Sequence, residues 1–169
     1  VSGGTPIFVA LGSNLGDSAA IVREAIAALG ERSAVAVRAS SLWTSTPVDC
    51  PPGSPLFVNA VAALTAREGE TPQSLLSALQ AMEREAGRRP KQVLNEARPL
   101  DLDILAWGSL VLSTPTLVLP HPRAHARRFV LQPWAEVAPG FVVPGLGRTV
   151  ADLMAALRTD ETLRWLEST

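Results

Sequence analysis

The sequence predicts an α+β fold in which helices cover an antiparallel sheet. Three observations predict it. Short apolar runs alternate with stretches of helical spacing, in the order strand, helix, strand, strand, helix, strand. Clusters of Gly, Pro, Asn and Ser punctuate those stretches. With 169 residues, 47% hydrophobic and 18% charged, the chain is long and apolar enough for a sizeable core. That order is the βαββαβ pattern of a ferredoxin-like sandwich, with helices on one face of the sheet. A single domain is expected over residues 5–169. Residues 1–4 are set aside as a disordered or cloning-derived end.

Ile7-Phe8-Val9-Ala10-Leu11 reads as a buried strand, followed by the turn Gly12-Ser13-Asn14-Leu15-Gly16-Asp17. Asp17 or Ser18 caps a helix whose stripe is Ile21, Val22, Ala25, Ile26 and Leu29, ended by Gly30. Val35 to Trp43 reads as a second strand, with Val35, Val37, Ala39 and Ser41 on one side. The proline-rich segment from Thr44 to Pro55 is a long loop, and Leu56 to Leu64 a third strand with Asn59 as its polar interior residue. Thr71-Pro72 opens a second helix, Leu75, Leu76, Leu79, Met82 and Ala86 face the core, and Gly87 ends it. A polar, basic loop runs from Arg88 to Pro99. Beyond the fourth strand, the C-terminal extension adds short strands at Leu110–Ser113 and Leu117–Leu119. An irregular stretch from Pro120 follows, then helices around Phe129–Val137 and Val150–Leu157.

The fourth strand carries the chemistry. In Arg98-Pro99-Leu100-Asp101-Leu102-Asp103-Ile104-Leu105 acidic and apolar residues alternate, so Asp101 and Asp103 share one face. Their backbone anchors are roughly 6.5 Å apart at the rise of a strand. Paired carboxylates can converge on hard cations, and Mg²⁺ suits them because it leaves room for phosphate oxygens. The plain alternative is a wet, acidic strand face.

Net charge is −1, which argues against a general nucleic-acid binder. Yet eight of the 15 basic residues lie from Arg84 to Arg128, around the aspartates. Cations in that number suit a metal–polyphosphate site. No GxxxxGK loop is present, and Gly12 and Gly16 do not fit GxGxxG, so a nucleotide would be held by metals and arginines. Glu83 either contacts a substrate or pairs with an arginine, and Gln80 shares its helix face. His121, between two prolines, is either a phosphate donor or a turn residue. Asn59 offers its amide to a heterocycle edge or to a loop backbone. Cys50, the single cysteine, lacks a catalytic signature; it permits no internal disulfide and suits a reducing compartment. No signal peptide and no apolar run near ~18 residues is seen, so a cytoplasmic protein without membrane partners is expected.

Several segments together resemble the family of 6-hydroxymethyl-7,8-dihydropterin pyrophosphokinases of folate biosynthesis. They are Ala10-Leu11-Gly12-Ser13-Asn14-Leu15-Gly16, Ser45-Thr46-Pro47, Phe57-Val58-Asn59-Ala60, Glu83 with Arg88, Arg98 to Asp103, and Pro120-His121 with Arg127 and Phe129. The resemblance implies transfer of pyrophosphate from ATP to the pterin hydroxymethyl group, leaving AMP; a monomer acting on these two small substrates is expected. It implies two Mg²⁺ ions on Asp101 and Asp103, and a catalytic set of Arg88, Arg98, Asp101 and Asp103. Gln80, Glu83, Arg88, Arg98, Ile104, His121 and Arg127 would line ATP; Thr46, Pro47, Phe57, Asn59 and Phe129 would hold the pterin. The sequence departs from the commonest family pattern at Phe57, Pro90 and Asn95-Glu96-Ala97. Two other classes stand beside this reading: a non-catalytic pterin or nucleotide module, and another Mg-dependent phosphotransferase.

Overall fold

A computed structural model describes residues 4–46, 52–53, 55–87 and 99–169. Its elements, in order, are β1 (Pro6–Ser13), α1 (Ser18–Gly30), β2 (Arg38–Ala39), β3 (Leu42–Ser45), β4 (Phe57–Thr65), α2 (Pro72–Glu85), β5 (Asp101–Trp107), β6 (Leu112–Ser113) and β7 (Val118–Leu119). Then come α3 (Arg128–Val137), β8 (Val142–Val143), β9 (Arg148–Thr149), α4 (Val150–Ala156) and β10 (Leu163–Glu167). The main sheet runs β10-β3-β4-β1-β5, with β2 also on β4, and every pairing is antiparallel. Its first four βαββαβ strands take the order expected of the ferredoxin-like sandwich.

Strand parity builds two cores on this one sheet. Ile7, Val9, Leu11, Val58, Ala60, Ala62, Leu102 and Ile104 point to α1 and α2, where Val22, Leu29, Leu75 and Leu79 meet them. Phe8, Val61, Ala63 and Ala106 point the other way, onto Val130, Leu131 and Trp134 of α3 and Leu153 of α4. The motif helices thus keep to one face, and the C-terminal extension supplies a helical layer on the other. Burial of each such Val, Leu or Ile stabilises by about 1.5–3 kcal/mol. Phe8 sits among Trp134 and Phe141, with ring centroids 5.6 and 4.7 Å away.

The helix starts follow the sequence. Asp17 caps α1 by accepting the Ala20 N–H, and Thr71 caps α2 in a reciprocal box with Ser74. Gly87 closes α2 at φ +96°, a conformation that favours glycine. Gly30 differs from expectation: it is the last residue of α1, and the cap is Glu31 in a right-handed conformation.

The expected strand from Val35 to Trp43 is broken in two. Ser40 takes the Val61 N–H on its own hydroxyl, and the Ser41 N–H turns to Glu136 of α3. With those groups diverted the ladder is interrupted, and Val35, read as the start of the strand, lies outside both pieces and is 57% exposed. The loop expected from Thr44 begins later, since Thr44 and Ser45 still pair with β4.

Candidate active site

Cross-strand register sets the site. Trp43 faces Asn59, Asn59 faces Gly12, and Gly12 faces Asp101, so these four form one row across β3, β4, β1 and β5. One step along, Val61, Ala10 and Asp103 form the next row. Both rows lie on the α3 side, since Val61 belongs to that core and Ala10 lies against it. Asp101 and Asp103 therefore share a face, half-buried, while Leu102 and Ile104 are buried on the other.

Two devices hold β5 in place. The Glu83 carboxylate on α2 accepts the Leu102 N–H at 2.8 Å, on the edge of β5 away from β1. Leu105 is an extra residue between the pairs Val9–Ile104 and Phe8–Ala106, a bulge of the kind common beside active sites. Its carbonyl accepts the His121 N–H at 2.8 Å, which brings the Pro120–Arg123 turn against the acidic strand.

His121 is tuned to be neutral. Burial first, then the charges of Arg127 and Arg123, lower its pKa to about 4, against the opposing pull of Asp101. Its Nδ1 accepts the Arg123 backbone N–H at 3.2 Å, which assigns the ring proton to Nε2. His121 is therefore a neutral donor at physiological pH. Arg127 is also held below its ordinary pKa, by burial first and by Arg123, while Asp103, Asp101 and Glu161 pull upward. It stays charged, and its guanidinium carbon lies 5.4 Å from the centre of the Phe129 ring. His121 and Arg127 thus share one electrostatic environment with both aspartates.

At the other end of the row Asn59 is buried, and its Nδ2 donates to the Ser45 hydroxyl at 2.7 Å. Between the ends, Gly12 leaves the floor bare: a Cβ there would meet Asn59 Oδ1 at 3.7 Å and the Phe57 ring at 3.8 Å. The Asn14 amide, by donating to the Pro55 carbonyl at 3.4 Å, ties the turn after β1 to the approach to β4.

The structure brings together Asp101, Asp103, His121, Arg127, Phe57, Asn59 and Phe129 on one side of the sheet. Gln80 is exposed on α2, and Glu83 reaches the backbone of β5 from the same helix. Ile104 is different: its side chain is sealed in the α1–α2 core, leaving only its backbone for a ligand. Thr46 is exposed, and the hydroxyl that reaches Asn59 belongs to Ser45, one residue earlier. Pro47, Cys50, Arg88, Pro90, Arg98 and Asn95-Glu96-Ala97 lie outside the described residues. Sequence reasoning missed Ser45, Gly12 and Glu161, which caps α3 by accepting the Arg128 N–H at 2.8 Å. Strand parity with Asn59 could have found Ser45; nothing local marks Glu161.

Among the described residues no group of three or more His, Cys, Asp or Glu side chains is placed to hold a metal. A two-carboxylate site suits a hard ion that completes its shell with water and phosphate oxygens, and so fits Mg²⁺.

A ferredoxin-like sheet with paired carboxylates, a neutral imidazole donor and a guanidinium on one face defines a site of the phosphoryl-transfer class. Residues 8–139 match the model of the 7,8-dihydro-6-hydroxymethylpterin-pyrophosphokinase (HPPK) family. The chain is 43% identical over 153 residues to the 2-amino-4-hydroxy-6-hydroxymethyldihydropteridine pyrophosphokinase of Pseudomonas aeruginosa, covering 89% of this chain and 90% of the relative. It is 37% identical over 131 residues to the enzyme of that name from Bacillus subtilis, covering 77% and 76%. In fold it is similar to an HPPK-DHPS solved in complex with substrates, with TM-score 0.69 and 10% identity, over 92% of this chain and 43% of that one. A Plasmodium falciparum HPPK-DHPS gives TM-score 0.65 at 13% identity, over 89% and 43%. The chain belongs to the HPPK family, the family and fold its sequence motifs imply.

Proposed function

We propose that this chain transfers the pyrophosphoryl group of ATP to the hydroxymethyl oxygen of 6-hydroxymethyl-7,8-dihydropterin, releasing AMP. The observation that carries the assignment is the row Asn59–Gly12–Asp101. Its ends are two strand spacings apart, about 10 Å, which a two-ring heterocycle with a one-carbon arm fills. Asn59, backed by the Ser45 hydroxyl, reads the heterocycle edge. Phe57 and Phe129 supply aromatic walls, and bare Gly12 lets the ring plane lie close to the sheet.

Asp101 and Asp103 would hold Mg²⁺, which when bound supplies charge neutralisation along the triphosphate. His121 donates its Nε2 proton to a phosphate oxygen without adding charge. Arg127, with Arg88 and Arg98, takes up the negative charge that develops as the bond to the AMP oxygen breaks. The acceptor oxygen attacks the β-phosphorus as the bond to the AMP oxygen breaks, its hydroxyl proton is released to solvent, and no protein nucleophile is required. Alignment supplies most of the rate, because two bound substrates react as one molecule. No helix among the described residues is long and apolar enough to cross a membrane. A cytoplasmic monomer acting on these two small molecules is the proposed working form.

The test is to incubate the protein with ATP, Mg²⁺ and the reduced pterin and identify the products. Equimolar AMP and pterin diphosphate support the proposal. ADP with a pterin monophosphate, or an adenylated pterin, would select another phosphotransferase. Ligand binding without turnover would select a non-catalytic module.

A further inference from the structure

The C-terminal turn of α3 carries a carboxylate that the reaction above does not use. Glu136 accepts the Ser41 N–H with both oxygens at 3.0 Å, the Ser41 hydroxyl at 2.7 Å and the Trp43 indole N–H at 3.0 Å. Hydrogen bonds to an ionised acceptor are the stronger kind. They meet β3 where its ladder with β4 is broken, so Glu136 determines where the strand restarts. Restarting there sets Trp43 opposite Asn59 and Ser45 opposite Phe57, and leaves the Ser45 hydroxyl on the Asn59 amide. Glu136 and Phe129 are seven residues apart on one helix, two turns along the same face. One helix thus places an aromatic wall at one end and fixes the facing strand at the other.

We infer that Glu136, acting through Ser41 and the Trp43 indole, is a positioning residue for the pterin acceptor. The inference rests on Asn59 marking the acceptor site. A strand freed from Glu136 lets Trp43 and Ser45 shift against Asn59, while Asp101, Asp103 and His121 keep their own supports on β5 and the following turn, and Arg127 caps the opposite end of α3, more than two turns from Glu136. The effect therefore falls on the acceptor and spares the nucleotide.

The test compares wild type, Glu136→Ala, Glu136→Gln and Trp43→Phe, reading KM for each substrate, kcat, and the ¹⁵N-indole spectrum, in which the Trp43 signal is assigned by its loss in Trp43→Phe. Glu136→Ala is expected to raise the pterin KM about tenfold, with kcat and the ATP KM within about twofold, a change of about 1.4 kcal/mol in acceptor binding. Glu136→Gln, which keeps one acceptor oxygen, is expected to recover part of the loss. The Trp43 indole proton is expected downfield in wild type and to move upfield in Glu136→Ala. Combining Trp43→Phe with Glu136→Ala is expected to add less than the two single effects. An unchanged pterin KM, or equal losses for both substrates, overturns the inference. If Glu136→Ala does not fold, Trp43→Phe, which removes only the indole and its N–H, carries the same KM comparison. A wild type that makes no pterin diphosphate defeats the acceptor assignment itself, whereas an active wild type with an indifferent Glu136→Ala defeats only this inference.

Discussion

Glu83 accepts the backbone N–H of Leu102 at 2.8 Å, between the two aspartates of β5. An edge strand leaves alternate N–H groups without a strand partner, and here a helix carboxylate fills one such place. Removing it leaves a half-buried donor unsatisfied and frees the strand that carries the acids. Glu83→Ala is expected to lower stability by about 1–3 kcal/mol and to reduce turnover as well. Glu83→Gln, which keeps an acceptor oxygen, should lose markedly less. Urea unfolding of the two variants beside steady-state rates checks both; equal stability of Ala and wild type would contradict the role.

His121 makes a pH prediction of definite sign. Its folded pKa, about 4, lies below the ordinary 6.5, so between those values the unfolded chain binds a proton that the folded chain does not. Its contribution to stability therefore rises with pH across that window and is lost on acidification through it. NMR titration of the His121 ring should give a midpoint near 4 in the free protein, raised when a triphosphate neutralises Arg123 and Arg127. A midpoint at or above 6.5 would contradict the neutral-donor role.

Gly12 predicts a selective loss. A Cβ added there stands in ordinary contact with Asn59 and Phe57, at 3.7 and 3.8 Å, so Gly12→Ala should fold normally. The methyl nevertheless occupies the floor on which the acceptor ring lies. The pterin KM should rise by about tenfold or more, given how steeply rate falls with ångström-scale misplacement, with nucleotide affinity unaltered. Thermal unfolding and substrate-by-substrate kinetics separate the two effects.

Arg127→Lys keeps the charge but not the planar fork, and it loses the seat over Phe129. The expected result is a fall in kcat of about tenfold or more with little change in stability, measured under saturating substrates.

What could be read directly from the sequence was whatever depends on near neighbours. Thr71-Pro72 and Gly87 bound α2 by their own capping chemistry, and the Asp-Leu-Asp-Ile alternation gives the sided β5. What escaped depends on distant partners. Ser41 leaves the ladder because its N–H goes to Glu136, 95 residues on, and no local pattern announces that. β10 escaped because Leu163 to Glu167 is a short edge strand with Trp165 59% exposed, and so without inward–outward alternation. Ser45 escaped because the proline-rich loop, read as starting at Thr44, covers it; with β3 extended through Ser45, parity with Trp43 puts the serine on the Asn59 face. The alternation of β5 and the local excess of basic residues both point to phosphate, whereas the place of His121 and Arg127 beside the Asp pair was implied only by the family resemblance.

Asp101 and Asp103, on one face of β5, are proposed to hold a nucleotide through Mg²⁺. Calorimetric titration of a non-hydrolysable ATP analogue, with and without Mg²⁺, into wild type, Asp101→Asn and Asp103→Asn tests it most directly. Mg²⁺-dependent binding is expected in wild type and at least a hundredfold weaker binding in each variant, about 2.7 kcal/mol, with the Mg²⁺ dependence lost. Binding that keeps its affinity and its Mg²⁺ dependence in both variants would contradict it.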